Sequence, residues 1–301
     1  MFVLRNLTSQ ATHELGTRSV IGRSRAADLS IAEDGVSGEH ATIWWDGESW
    51  NLRDLGSRNG TLVDGEAVPG GGTVPLRPGQ QLQFGGISAW LVAEAGPPVP
   101  SARALIGGEW IRAEDDLLVL PSPQNPVLTV YSDIDGAWQM EGPDFDRVVH
   151  DLELVATEGN VWRLHLPVTT QGTVSRVMRP TLEGMSLEFR VSRDEEHVEL
   201  LATGMGARID LKARAHNYTL VVLARARLAE THLPEGSRGW IYQDELCKML
   251  GIDDAKLNLF VFRARKQLSA SGIDGSAGIV ERRVGTRQLR LGVSSITITP
   301  L

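Results

Sequence analysis

The stretch Gly56-Ser57-Arg58-Asn59-Gly60-Thr61 sits between two short apolar runs, with Leu52 and Leu55 before it and Leu62 and Val63 after it. Two further pieces of polar punctuation stand upstream. Gly22-Arg23-Ser24 follows Val20-Ile21, and Ser37-Gly38-Glu39-His40 precedes the alternating Ala41, Ile43 and Trp45. Alternation at period 2 predicts half-buried strands, so the polar pieces fall in loops of a β scaffold. Binding groups collect on such loops. If the strands close into one sandwich, the three loops converge.

The chemistry of those loops is specific in kind. Arg23 offers a planar fork of donors suited to a phosphate. Ser24, Ser37 and Ser57 add hydroxyls, and Asn59 both donates and accepts. Gly60 permits positive φ and close approach of another backbone. No nucleophile with a neighbouring base accompanies them. The residues alone leave two readings: a polar, phosphate-compatible recognition surface, or three ordinary turns with a structural histidine.

The order Gly22-Arg23-Ser24, Ser37-x-x-His40, Asp54-Leu55-Gly56-Ser57-x-Asn59-Gly60-Thr61 resembles a forkhead-associated (FHA) domain, a reader of phosphothreonine peptides. The resemblance implies that Arg23 and Ser37 hold the phosphate, with Ser24 beside them. It implies that Ser57 or Arg58 touches the phosphate or its flank and that Asn59 bonds the peptide backbone. Gly22, His40 and Gly60 would be architectural, His40 bracing the loop that presents Ser37. Gly38 stands where the family often carries Arg, which bears on the choice of residues downstream of the phosphothreonine.

At 301 residues and 42% hydrophobic content, the chain is long enough for two or three domains with real cores. One cysteine, Cys247, excludes a disulfide framework and fits a reducing compartment; in its apolar helical run it reads as a buried, inert thiol. The N-terminal residues lack a signal-peptide pattern, and no run approaches the ~18–20 apolar residues that span a bilayer. A soluble, cytoplasmic protein without a membrane partner is expected. The formal net charge of −8 argues against a generally nucleic-acid-coated protein. Its distribution is uneven: residues 217–301 hold 12 Lys/Arg against 8 Asp/Glu, whereas 101–216 hold 11 against 19. Any nucleic-acid contact therefore belongs to the C-terminal part.

Gly96-Pro97-Pro98-Val99-Pro100 reads as a stiff linker that closes a first domain at 1–95. The next segment, 101–182, is again strand-like. The run 128–140 echoes 42–52, and 158–164 echoes the 85–92 stretch with its Gly85-Gly86. A partial, degenerate β unit resembling the back half of the first domain is expected there. It lacks counterparts of Arg23, Ser37 and Asn59, so it reads as a spacer or dimer surface.

From 183 to 295 the pattern changes. Strands at 187–191, 198–201 and 208–211 lead to helical stretches at 217–231, 242–250 and 254–271. In the third, Leu257, Val261, Ala264 and Leu268 define one buried face. Asp253 or Asp254 caps its start, and Gly251 stops the second helix. Lys256, Asn258, Arg263 and Lys266 lie on other sides. Strands at 278–282 and 288–291 follow, joined by the basic turn Arg283-Val284-Gly285-Thr286-Arg287. The runs 257–268 and 279–291 resemble the winged helix-turn-helix effector domain of response-regulator transcription factors. Two departures stand out: the loop 232–239 is long, and Gln288-Leu289 replaces the family's closing Gly-Tyr. The resemblance implies double-stranded DNA as a partner, with Lys256, Asn258, Arg263 and Lys266 on the helix and Arg282, Arg283 and Arg287 on the wing as its contacts.

No metal-ligand spacing, phosphate loop or nucleophile elbow occurs, so neither cofactor nor enzyme activity is expected. The fold class expected is multidomain: a mainly β N-terminal two-thirds, FHA sandwich plus partial β unit, then an α+β winged helix. The function expected is that of a bacterial-type transcription regulator. It would read a phosphothreonine on a Ser/Thr kinase or its substrate and contact DNA. The alternative is a phospho-dependent adaptor whose winged helix binds protein. Oligomeric state is left open.

Overall fold

The computed structural model describes residues 1–85, 88–133, 136–142, 145–168, 180–283 and 285–301. Gly86, Val284 and the 169–179 part of the expected middle segment lie outside them. The chain divides into two compact units. One comprises 1–110, 150–156 and 160–171; the other comprises 111–149, 157–159 and 172–301. The 101–182 stretch thus contributes to both.

In the N-terminal unit, alternation becomes two layers, antiparallel except where Leu29–Ser30 runs parallel to Arg18–Gly22. One sheet runs in the order Thr12–Leu15, Phe2–Asn6, Ala89–Ala95, Gln81–Phe84, Thr61–Val63, Glu66–Ala67. The other runs Leu29–Ser30, Arg18–Gly22, Ala41–Trp45, Trp50–Asp54, Thr73–Leu76. Phe2, Leu4, Ile21, Ile43, Leu52 and Leu82 face inward and are fully buried. Register explains how the loops meet. Ile21 pairs with Ala41, Ala41 with Asp54, and Phe84 with Thr61. The ends of five strands are thereby brought to one edge of the sandwich.

The strand-like middle is β-rich, as its alternation predicts, but its two echoes belong to different sheets. The hairpin Asn125–Ser132 with Trp138–Glu141 is extended by Leu118–Ser122 and Asp146–Val148 into a four-stranded sheet. The pair Leu154–Thr157 and Asn160–His165 instead joins Ser101–Ala104. Its side chains bond to the N-terminal sandwich: Arg163 Nη1 reaches Asp28 Oδ1 at 2.9 Å, and Thr17 Oγ1 donates to Asp151 Oδ1 at 2.7 Å.

The C-terminal unit holds three helices, α1 (Asn217–Ala229), α2 (Gln243–Leu250) and α3 (Asp254–Ala270). Three strands before them and one after form a sheet ordered Ala207–Ala213, Val198–Gly204, Ser186–Val191, Ser295–Pro300, whose last strand runs parallel to its neighbour. Asp253 caps α3 by accepting from the Lys256 N–H at 2.8 Å. Leu257, Val261, Ala264 and Leu268 are buried with Phe189, Leu223 and Leu246 in one core. The hairpin Val280–Arg283 with Gln288–Leu291 is joined by the short strand Ile241–Tyr242. The expected strand at 278–282 starts later. Residues Ser276–Ile279 form a 3₁₀ turn, closed by the Gly278 N–H donating to Gly275 O at 3.0 Å. Among the described residues, no helix is long and apolar enough to cross a membrane.

Truncating Leu52, which is fully buried in the sandwich, should cost about 2–5 kcal/mol. Chemical denaturation followed by tryptophan fluorescence should show a lowered midpoint for the N-terminal unit.

Candidate functional site

Three loops leave the same edge of the N-terminal sandwich, and backbone and side-chain bonds tie them together. The Arg23 N–H donates to Ser37 O at 2.8 Å, and the Ser24 N–H to Gly38 O at 3.0 Å. This apposition fixes the identity of Gly22: a Cβ there would lie 2.1 Å from Gly38 O, so any side chain would part the two loops. Gly60 takes φ +75°, the left-handed turn that returns the chain to its strand.

His40 joins the loops from beneath. Its side chain is fully buried, with the ring edge-on to Phe84. Nδ1 accepts from the Ser37 N–H at 3.1 Å, which assigns the ring proton to Nε2 and makes it the donor to Gly60 O at 3.0 Å. One imidazole therefore sets the height of the Ser37 loop and of the Gly60 turn.

Asp54 performs the matching task for the 55–61 loop, a role the sequence motif contained without assigning. It is only 4% exposed. Its Oδ1 accepts from the N–H groups of Gly56 and Ser57 at 2.9 and 2.8 Å; its Oδ2 accepts from Ser57 Oγ at 2.7 Å and Thr61 Oγ1 at 2.6 Å. Burial works against the ionised form, yet the Thr61 and Ser57 hydroxyls and the two amides outweigh it and hold the carboxyl below the usual 3.8. An aspartate followed at two and three residues by small groups is the local signal for such a turn.

Above these supports lies the rim. The Arg23 side chain is half exposed and meets Asp34 at a single distance of 3.5 Å. Ser37 Oγ accepts from the Arg58 N–H at 3.1 Å, which leaves its own proton available to donate. Asn59 Nδ2 donates to Gly35 O at 2.9 Å, leaving the amide oxygen to accept. Ser24 is half-buried beside Arg23, and the Arg58 side chain is exposed. The structure thus brings Arg23, Ser24, Ser37, Arg58 and Asn59 together on one surface. The hydroxyl of Ser57 is turned instead toward Asp54. Asp34 and Gly35, absent from the sequence-derived set, are the immediate partners of Arg23 and Asn59.

The C-terminal residues expected to meet DNA divide into two groups. Lys256, Arg263, Arg283 and Arg287 are exposed. Lys256 lies over the Phe260 ring and Arg283 over Trp240 at 4.3 Å, while Arg287 Nη2 reaches Asp254 Oδ2 at 3.1 Å. The other three are engaged by the chain itself. Lys266 pairs with Glu114. Arg282 donates to Glu141 Oε1 at 2.6 Å and to Asn258 Oδ1 at 2.8 Å. Cys247 is buried, and burial pushes its thiol up to about 11.

Residues 19–85 match the family model described as the FHA domain. Over 50 residues the chain is 42% identical to protein phosphatase 2C 70 of Arabidopsis thaliana, a span of 16% of this chain and 9% of that protein. Over 78 residues it is 33% identical to an FHA domain-containing protein of the same plant, covering 26% and 20% respectively. The chain therefore spans a fifth or less of either relative. Among solved structures, an FHA domain from a study of phosphothreonine-dependent FHA interactions is 31% identical, with 32% of this chain and 98% of that one covered at a TM-score of 0.29. The N-terminal FHA domain of Rad53p from S. cerevisiae, solved with a phosphothreonine peptide, is 20% identical over 30% of this chain and 90% of that one, with a TM-score of 0.28.

Replacing Asp54 by Ala leaves buried donors unpaired and should destabilise the N-terminal unit by roughly 2–4 kcal/mol. The wild-type carboxylate contributes fully above pH 3.8, and that contribution is lost as pH falls through its lower folded value. Acid titration of stability should therefore be shallower below pH 3.8 in Asp54→Asn than in wild type.

Proposed function

Because residues 19–85 are an FHA domain, we propose that this chain is a non-enzymatic, phosphothreonine-dependent signalling protein that joins a phosphopeptide reader to a winged helix-turn-helix. One observation carries the first half. Arg23, Ser37 and Asn59 come from three loops, yet backbone and side-chain bonds hold them on one exposed rim. A phosphothreonine dianion presents three acceptor oxygens. Arg23 meets them with a charged fork, and the Ser37 hydroxyl donates while its oxygen is held by the Arg58 amide. The ion pair with Asp34 is long and exposed, so a dianion displaces it at little cost. Asn59 accepts from the backbone of the bound peptide, and Arg58 lies along its flank. The partner is a phosphothreonine-bearing protein, a Ser/Thr kinase or its substrate, met in the cytoplasm.

For the second half, the support is the order of elements from residue 186 onward. A small sheet is followed by α1, α2, the capped α3 and a basic hairpin. In this reading α3 enters the major groove of duplex DNA and the hairpin reaches phosphates, with Lys256, Arg263, Arg283 and Arg287 at the surface for the purpose. Phosphopeptide capture by the N-terminal unit then alters promoter occupancy. One observation favours the adaptor reading, in which this unit binds protein: Asn258, Lys266 and Arg282 are held by side chains of the chain itself.

Arg23→Ala should abolish binding of a phosphothreonine peptide library measured by fluorescence polarisation. Equal affinity of the wild type for phosphorylated and unphosphorylated peptides would overturn the first half. For the second, Arg263→Ala/Arg283→Ala should weaken gel-shift binding to genomic fragments and lower the salt slope by about 2. Binding that is undetectable, or insensitive to salt, favours the adaptor.

A further inference from the structure

We infer that the four-stranded sheet in residues 111–149 is a built-in competitor for the surface of α3 and the hairpin, closing it with a carboxylate placed as a backbone phosphate would be. This rests on the winged-helix reading above and specifies how that site is regulated.

The sheet is strongly acidic. Residues 111–149 hold eight Asp/Glu against two Lys/Arg, a formal −6, within a unit whose residues 217–301 are net basic. It lies along one flank of α3. Leu117 and Val119 pack on Phe262, with Tyr131 and Leu259 at the margin. Polar contacts run the length of the same stripe: Glu114 with Lys266, and the Ser269 hydroxyl donating to Asp115 O at 2.8 Å. Residues 262, 265, 266 and 269 recur at helical spacing, so this is a continuous face rather than one touching point.

Glu141 is the centre of that contact. It is 6% exposed, and one carboxylate serves two guanidiniums. Oε2 accepts from Arg265 Nη2 at 2.7 Å, and Oε1 accepts from Arg282 Nε at 2.6 Å. Arg265 is 2% exposed and also donates to Val280 O at 2.9 Å; Arg282 donates further to Gln243 Oε1 at 3.1 Å and Asn258 Oδ1 at 2.8 Å. Two guanidiniums share this carboxylate, and the charges of Asp146 and Asp254 act on them as well. Such a donor set, drawn from α3 and the hairpin together, suits an anion with more than one acceptor oxygen and more than one charge. A phosphodiester with its neighbour along a strand supplies that. Glu141 supplies one carboxylate of it, with one oxygen for each guanidinium.

The face cannot serve both occupants. While the sheet is seated, Phe262, Arg265 and Arg282 are withdrawn from solvent and the stripe of α3 between them is unavailable to a groove. DNA binding is then coupled to release of 111–149, and the affinity observed is reduced by the fraction of molecules that are closed.

The test uses the full chain and a 30-base-pair random-sequence duplex at low salt. Fluorescence anisotropy would compare wild type, Glu114→Gln/Glu141→Gln, and the charge-matched control Glu66→Gln/Glu94→Gln, both of whose residues are exposed. The first variant should bind about 10-fold more tightly than the control, within the usual range of allosteric couplings. A second measurement on wild type protects the test against a variant that misfolds: amide hydrogen exchange across 111–149 should rise when duplex is added. Equal affinities of the two variants, or unchanged exchange with duplex bound, would overturn the competitor while leaving DNA binding intact. No binding by any of the proteins would remove the winged-helix reading itself, and this inference with it.

Discussion

The rim depends on a single imidazole with no access to water. His40 accepts from the loop that carries Ser37 and donates to the turn that follows Asn59, so two loops take their spacing from one rigid ring. Neither bond is available to an amide or a hydroxyl of similar size without a change in that spacing. Asp54 completes the arrangement from the neighbouring strand, fixing the turn with four hydrogen bonds. The groups that face solvent are consequently few and pre-placed, which limits the ordering cost of any contact they make.

The C-terminal unit uses charge differently. At the rim, an exposed guanidinium is left nearly unpaired so that it can find an anion elsewhere. Around Glu141, two guanidiniums are withdrawn from solvent and paired within the chain. Buried ion pairs contribute little net stability compared with apolar packing, but removing one partner is costly. Their value is in specifying which surfaces meet. Here they select one seating of an acidic sheet on a basic helix, and the small apolar contact of Phe262 with Leu117 and Val119 holds it there.

Much of this was legible in the sequence, for reasons that differ by region. The N-terminal sandwich announces itself because its strands alternate and its loops carry residue types with narrow uses: Gly22 where two backbones touch, His40 where a buried ring must both accept and donate. The third helix of the C-terminal unit was equally plain from the spacing of Leu257, Val261, Ala264 and Leu268. What was hidden was long-range. Arg265 falls among basic neighbours on α3 and reads as solvated, but its partner Glu141 lies 124 residues earlier. The strand Ser295–Pro300 falls at and beyond the end of the expected C-terminal domain, and nothing local reveals that its neighbour is the parallel strand Ser186–Val191. Ser57 was legible as polar and loop-borne; only the geometry shows its hydroxyl spent on Asp54.

That parallel strand has a bearing on how the molecule is made. Ser295–Pro300 supplies the outer edge of a sheet whose other members lie before α1. The two paired segments enclose α1, α2, α3 and the hairpin, so during synthesis this edge is sealed only after those elements have emerged. Until residue 300 has emerged, the strand Ser186–Val191 presents unsatisfied amides to its surroundings, an open invitation to pair with a neighbouring nascent chain. A substitution that weakens this strand therefore acts on assembly of the C-terminal unit as a whole.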